Sequence, residues 1–178
     1  MIDTNIIIGF DPGGSTGYCV AKVDPNEVLG FKVLRCQVIL WNDHIPAIKA
    51  LLRHYQPITT IVEDFVLYKA KAKDQVGKRF PSVFVTGIIA AYLFEYGLPE
   101  MHLRLASTIS RTEIPKAHLQ HIPQLSADMR EHAMDAYKHV RHHIVSQRVA
   151  AVVKPVQKKA TPRPVSKPAT KLIKRPKQ

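Results

Sequence analysis

Acidic side chains end two short apolar runs that lie far apart in the sequence. Asp11 follows Ile6–Phe10 and opens a glycine-rich turn, and Glu63 and Asp64 end the run that begins at Thr59. Glycines in such a turn allow a backbone or a phosphate to approach closely, although an acid here is also typical of a plain turn. Because adjacent strand residues point to opposite faces, only one of Glu63 and Asp64 can share a site with Asp11.

A later segment with helical spacing adds further acids and two histidines. The residues concerned are Asp128, Glu131, His132, Asp135 and His139. Spacings of four, three and four residues place most of them near one helix face. His132 and Asp135 are the pair best placed to share a metal ion, while His139 could orient Asp135 or face solvent. A polar stripe of this kind is also typical of the solvated face of a helix.

Taken together, the three groups predict a two-metal phosphodiesterase site. Carboxylates bind hard divalent cations such as Mg²⁺ and Mn²⁺ through oxygen. Two such ions, about 3.5–4 Å apart, stabilise the attacking water and the leaving oxygen of an in-line displacement. An acidic cluster would repel a phosphate by itself, so its charge must first be offset by the ions.

The hydrophobic pattern indicates the elements that position these residues. It predicts a mixed five-stranded α/β sheet, whose first three strands form an antiparallel meander, with helices on its faces. The predicted strands are Ile6–Phe10, Gly17–Val23, Val28–Leu40, Thr59–Asp64 and His102–Leu105. The predicted helices are His44–Tyr55, Ser82–Tyr96 and Ser126 to about Gln147. Ser82 is a candidate N-cap, and Gly97 a candidate stop for the second helix.

Net charge divides the chain into a body and a tail. The 178 residues carry 26 Lys and Arg against 14 Asp and Glu, a formal charge of +12. Residues 151–178 hold nine of the basic residues and no acid, and they are interrupted by prolines. This composition predicts a domain over residues 1–149 and a disordered basic tail over 150–178. The charge disfavours an enzyme for cationic substrates and favours a polyanionic partner.

The sequence resembles RuvC-type Holliday junction resolvases, which belong to the RNase H-like superfamily. The resemblance lies in Ile8–Gly13 with Thr16–Tyr18, in Val62–Glu63 and in Glu131–Ala136. It implies an RNase H-like fold and a Mg²⁺- or Mn²⁺-dependent endonuclease with two ions per site. The implied substrate is branched DNA in recombination, repair or phage DNA processing. The family also implies a homodimer, for which the helix from Ser82 to Phe94 is a candidate surface, if it is not covered within the monomer.

The same resemblance implies roles for individual residues. Asp11, Glu63, His132 and Asp135 would bind the metals, and Lys116 would lie near the scissile phosphate. A second such lysine is not evident. Phe65 and Tyr68 are alternatives for an aromatic that stacks at the junction centre. The basic residues beside them that could contact DNA are Lys69, Lys71, Lys73, Lys78 and Arg79.

Two other functions fit parts of the sequence. Asp11–Thr16 resembles the phosphate-binding loop of actin- and sugar-kinase-like ATPases, which need a second domain. A catalytically silent DNA-binding subunit is the other. Cys19 and Cys36 lie in apolar runs without paired spacing, so we expect buried free thiols and a reducing cytoplasm, that of the host if the protein is viral. No membrane partner is expected, because the longest apolar stretch, Val83–Phe94, is too short for a span.

Overall fold

The structure is a computed structural model that describes residues 5–27, 29–66 and 79–152, with side chains through residue 148. Its strands are β1 (Ile6–Asp11), β2 (Ser15–Val23), β3 (Phe31–Leu40), β4 (Thr59–Asp64) and β5 (His102–Leu105). Its α-helices are α1 (His44–Tyr55), α2 (Pro81–Glu95), α3 (Lys116–Leu119) and α4 (Ala127–Val152). Short 3-10 turns occupy Trp41–Asp43 and Ala106–Thr108.

The strands form one mixed sheet in the order β3-β2-β1-β4-β5. The first three pair antiparallel as a meander, and β4 pairs parallel with both β1 and β5. The predicted fold class is therefore confirmed. Because β1, β3, β4 and β5 run in the same direction, all four end at one end of the sheet. We call this the acid end, since β1 and β4 finish there with Asp11 and Asp64.

Alternation along the strands builds a separate core on each face of the sheet. Ile6, Ile8 and Phe10 of β1 pack with residues of α1 and α2. Ile7 packs on the other face, among residues of α4 such as Ala136. Both faces of β1 are buried, as its continuous apolar run predicts.

Two glycines let α4 lie directly against the backbone of β1 and β2. A Cβ atom on Gly9 would be 2.6 Å from the carbonyl oxygen of Ala136, and one on Gly17 would meet the carbonyl group of His132. Further along α4, Arg148 lines a cavity together with Val23. The helix therefore runs from the acid end of the sheet to the opposite end.

Most predicted boundaries agree with the structure to within one residue, but β2 starts earlier, at Ser15, and β3 starts later, at Phe31. Two helix ends also need correction. Helix α2 begins at Pro81, and no side-chain cap precedes it, so Ser82 is not its N-cap. Proline suits the first helical position because its missing N–H has no partner there anyway. Helix α4 continues to Val152 instead of ending near Gln147.

Three further findings bear on the sequence predictions. Cys19 and Cys36 are buried free thiols, as expected. No helix in the described ranges is long and apolar enough to cross a membrane. The basic tail predicted for 150–178 lies outside the described residues, apart from the last turn of α4.

Candidate functional site

Asp11 and Glu63 share the face of the sheet that is covered by α4. In β1, Asp11 points to the same face as Ile7 and Gly9. In β4, Glu63 points to the same face as Ile61, which packs in the core with residues of α4. Asp64 points to the other face. The inference that only one of the two adjacent acids can join Asp11 is thus correct, and that residue is Glu63.

Asp11 is held by the first of the predicted helix ligands. Nδ1 of His132 donates a hydrogen bond to Oδ2 of Asp11 at 2.6 Å. Burial raises the pKa of Asp11, and nearby Glu63 and Asp135 raise it further, against a lowering by the His132 hydrogen bond. The hydrogen bond to Asp11 in turn raises the pKa of His132. Asp11 therefore lies close enough to Glu63 and to Asp135 for each of them to disfavour its negative charge.

Glu63 is held by His139, a contact that the sequence does not predict. Nε2 of His139 donates to Oε2 of Glu63 at 2.9 Å. The His139 side chain is completely buried, and its Nδ1 atom has no hydrogen-bond partner among the described residues. His139 therefore neither faces solvent nor orients Asp135, the two possibilities that the sequence leaves open. It fixes the orientation of Glu63.

Asp135 is held by Lys138, which lies one turn further along α4. The Nζ atom of Lys138 donates to Oδ1 of Asp135 at 2.5 Å, with both side chains mostly buried. The sequence analysis missed this lysine. Its three-residue spacing from Asp135 is the signal that could have found it. The ammonium group of Lys138 thus already compensates the charge of Asp135, one of the three acids.

The donor set fits a hard divalent cation, although the side chains form internal pairs. In the described ranges, no three His, Cys, Asp or Glu side chains converge as a ready metal site. Each acid nevertheless uses a single oxygen in its pair, which leaves Oδ1 of Asp11, Oε1 of Glu63 and Oδ2 of Asp135 without a partner among the described residues. Asp11 and two acids that disfavour its charge, each with one oxygen that has no partner in the described ranges, are suited to a cation of this class.

Comparisons with solved structures show which fold positions these acids. RuvC of Thermus thermophilus in complex with a Holliday junction substrate matches with a TM-score of 0.60 and 16% identity, over 82% of this chain and 96% of that one. A yeast mitochondrial Holliday junction resolvase matches with a TM-score of 0.57 and 10% identity, over 86% of this chain and 83% of that one. The fowlpox virus Holliday junction resolvase matches with a TM-score of 0.52 and 13% identity, over 80% and 99%.

This chain has the RNase H-like fold of the RuvC-type resolvases. No family model and no curated protein sequence matches it. The likeness to the RuvC-type structures thus rests on three-dimensional structure, and it covers most of the chain.

A small cavity of about 160 Å³ opens beside the acids of this RuvC-type fold. Pro12, Glu63, Asp64, Phe65 and Ser82 are among the residues that line it. Asp64 lines this cavity from the face of the sheet that α4 does not cover.

Phe65, one of the two aromatic candidates, lies just beyond the end of β4. It is 40% exposed, and its ring lies 4.9 Å from that of Phe80. It is therefore not part of the core. Tyr68, the alternative, lies outside the described residues.

In the described part of the chain, no contact joins the predicted cationic residues to the acids. Lys116 is exposed, and no contact joins it to the acids in the described part of the chain. Its short helix α3 is anchored through His118, whose Nδ1 atom lies 2.7 Å from the hydroxyl of Tyr137. Arg79 is exposed just before α2. The other predicted DNA-contacting residues, Lys69, Lys71, Lys73 and Lys78, lie outside the described residues.

Proposed function

We propose that this protein is a metal-dependent endonuclease that resolves Holliday junctions and other branched DNA in recombination, repair or phage DNA processing. The observation that carries the proposal is the meeting of Asp11, Glu63 and the His132–Asp135 pair at the acid end of a RuvC-type fold. Two of the similar structures are Holliday junction resolvases, and a third is RuvC in complex with a Holliday junction substrate. The excess positive charge of the chain suits the same partner.

Asp11, Glu63, His132 and Asp135 would hold Mg²⁺ or Mn²⁺, with two ions per site. Bound ions would polarise the phosphate and lower the pKa of an attacking water. Asp11, which is 8% exposed, would form the inner part of the site. Nδ1 of His132 donates to Asp11, which leaves Nε2 as the atom that can face an ion.

Lys138 and His139 would support this site from behind. Lys138 compensates the charge of Asp135 when no ion is present, and it must give way if that oxygen binds one. His139 holds one oxygen of Glu63 and turns the other toward the site. Hydrogen bonds that orient ligating carboxylates typically matter about 10- to 100-fold for metal affinity or activity.

The exposed ridge of α2 suits a homodimer. Val83 is 54% exposed and Phe94 90% exposed, and Gly87 lies between them with open space where a Cβ would be. Glycine in an exposed helix interior costs about 1 kcal/mol relative to alanine, so its presence needs another reason. Close approach of a second α2 helix would supply one.

Light scattering after size exclusion tests this dimer. We expect Phe94→Glu and Gly87→Leu to yield monomers at concentrations at which the unaltered chain is dimeric. Val145, which is 44% exposed on α4, provides a matched control, because Val145→Glu should leave the mass unchanged. A monomeric unaltered chain would contradict the dimer and leave the nuclease proposal standing.

Cleavage of a synthetic four-way junction tests the activity itself. We expect the chain to nick the junction with Mg²⁺ or Mn²⁺ and not with EDTA. Asp11→Asn and Asp135→Asn should abolish cleavage while keeping the thermal unfolding midpoint close to that of the unaltered chain. Asp64→Asn should keep most of the activity, because Asp64 faces away from Asp11.

Three results would contradict the proposal or its site. If the unaltered chain cuts no branched DNA with either ion, the endonuclease function is wrong, and binding without cutting would favour a silent DNA-binding subunit. If Asp11→Asn and Asp135→Asn both fold and still cut, the acids are not the site. If Asp64→Asn is as inactive as Asp11→Asn, the assignment by sheet face is wrong.

A further inference from the structure

Arg104 is a cation that has no carboxylate partner among the described residues. It lies in β5, in register with Glu63 of β4, and it is only partly exposed. Its Nη1 atom donates to Nδ1 of His142 at 3.3 Å, and its Nη2 atom donates to Nδ1 of His143 at 3.2 Å. Its Nε atom is buried and has no hydrogen-bond partner in the described ranges. A partly buried charge is costly unless an opposite charge offsets it, and neutral acceptors do not supply one.

The two histidines that contact Arg104 are neutral. A guanidinium has only N–H donors, so both Nδ1 atoms accept and the proton of each ring lies on Nε2. Burial and the charge of Arg104 lower the pKa of His142, and they lower the pKa of His143 to about 4. Their Nε2–H groups have no partner in the part of the chain that the structure describes, so they remain available donors. We call Arg104, His142 and His143 the Arg104 cluster.

The surroundings of the Arg104 cluster supply no negative charge to pair with it. The charged and titratable groups that act on its two histidines are Arg104 and further histidines, without an acid among them. Glu63, the register partner of Arg104, already accepts a hydrogen bond from His139. Donors without an opposing carboxylate are suited to an anion, and the planar guanidinium group matches the oxygens of a phosphate.

The Arg104 cluster lies beside the acids but further along α4. His142 follows Asp135 by seven residues, which is about 10 Å along the helix axis at about 1.5 Å per residue. A strand of duplex DNA rises about 3.4 Å per nucleotide, so this distance corresponds to about three nucleotides. None of the three cluster members is among the DNA-contacting residues that the family resemblance implies.

We propose that the Arg104 cluster binds one phosphodiester group of the DNA strand that enters the site, about three nucleotides from the cut. The inference rests on the proposed function, which brings a DNA strand to the acids. The bound phosphate would supply the negative charge that Arg104 lacks, and the Nε2–H groups of the histidines are donors for its oxygens. Phosphate contacts of this kind fix the position of a strand without reading its sequence.

Junction binding by substituted chains gives the first measurement. Each full chain also carries Asp11→Asn to prevent cutting, and it is titrated with a four-way junction in the presence of Mg²⁺. Arg104→Gln should weaken binding roughly 10- to 150-fold and lower the salt dependence by about one ion. Arg104→Lys, which keeps the charge, should recover part of this loss. Arg53→Gln is the matched control and should change binding little, because Arg53 is exposed on α1, which covers the other face of the sheet.

A neutral phosphate analogue tests the same contact without depending on the fold of a variant. Each junction in a set carries one methylphosphonate, placed at successive positions of the cut strand. We expect one position, about three nucleotides from the cut, at which this group weakens binding by the Asp11→Asn chain but has no further effect once Arg104→Gln is added. If the two effects add at every position, Arg104 only fastens α4 to β5, and the proposal is overturned.

The outcomes separate this inference from the proposed function. If the unaltered chain nicks junctions while Arg104→Gln binds them as tightly as Arg53→Gln, the Arg104 cluster is not a DNA site and the nuclease stands. If Arg104→Gln binds junctions normally but abolishes a stabilisation of the chain by inorganic phosphate, the ligand is a small anion, and the proposal is overturned. If the unaltered chain neither binds nor cuts junctions, both proposals fail together.

Discussion

The contact between β1 and α4 predicts that one added methyl group on Gly9 disturbs both stability and catalysis. The Cβ of Gly9→Ala would lie 2.6 Å from the carbonyl oxygen of Ala136 and 2.7 Å from Cγ2 of Val140. Ordinary contacts begin near 3.4 Å, so α4 must retreat by about 0.8 Å at Ala136. Overpacking of this kind costs about 1–3 kcal/mol. In a domain of this size, that lowers the unfolding midpoint by roughly 2–12 °C.

The same displacement should also lower the rate of cleavage. Ala136 is adjacent to Asp135, so the retreat moves a proposed metal ligand by a similar distance. A misplacement of about 1 Å can lower an enzyme's rate about 100-fold. Single-turnover cleavage of a four-way junction, measured well below the unfolding midpoint, would detect this. Val140→Ala in the same chain removes one of the two close atoms and should recover only part of the loss.

Gly14→Ala is the matched control for Gly9→Ala. Gly14 lies in the turn after Asp11, and a Cβ there would meet nothing within 4 Å. Its φ is not positive, so alanine fits, and the stability should stay the same or rise by about 0.4–1 kcal/mol. If Gly9→Ala cleaves as fast as Gly14→Ala, the close packing of α4 on β1 does not position the site, and the prediction is wrong.

Three further predictions concern the rest of α4 and the tail. Deleting residues 153–178 removes nine basic residues and no acid, so the affinity for DNA should fall and its salt dependence should become shallower. Cleavage at saturating enzyme should stay unchanged, and a loss of that cleavage would contradict the prediction. His139→Leu should lower cleavage about 10- to 100-fold, and His139→Gln, which keeps a donor, should recover part of it, unless the role of His139 is packing alone. Burial, with Arg104 nearby, lowers the pKa of His143 to about 4, so its contribution to stability is present above pH 6.5 and lost as the pH falls toward 4. The thermal unfolding midpoint should therefore fall less between pH 6.5 and pH 4 in His143→Gln than in the unaltered chain. An equal fall in both chains would contradict this role of His143.

Local signals were enough to predict most of the fold. The bounds of α1, β4 and β5 agree with the structure, because each is a short periodic run with a breaker beside it. The start of α2 was placed one residue late, because the preference of proline for the first turn outweighs that of Ser82 for the cap. The sequence predicts an end of α4 near Gln147, before the basic tail, whereas the helix continues to Val152 because the five residues after Gln147 contain neither glycine nor proline.

The candidate site was predictable only in part. Alternation in β4 limits the shared acid to one of two residues, and the family resemblance selects Glu63. Hydrogen bonds between side chains that are far apart in the sequence could not be predicted in this way. The hydrogen bond between Glu63 and His139 depends on how α4 rotates as it settles on Gly9 and Gly17. That rotation is set by the backbone contact and by the packing of α4 in one core, which a one-dimensional pattern does not encode.

Combined with the proposed function, the direction of α4 predicts a minimum length for the arms of the DNA. From Asp135 to Val152 the helix rises about 25 Å, at about 1.5 Å per residue, toward the end of the sheet opposite the acids. The basic sequence therefore begins at a distance that equals about seven base pairs of duplex, at about 3.4 Å per base pair. Junctions with arms of five base pairs would reach the acids but would end before the level of Val152. The protein would then measure arm length as well as branch geometry.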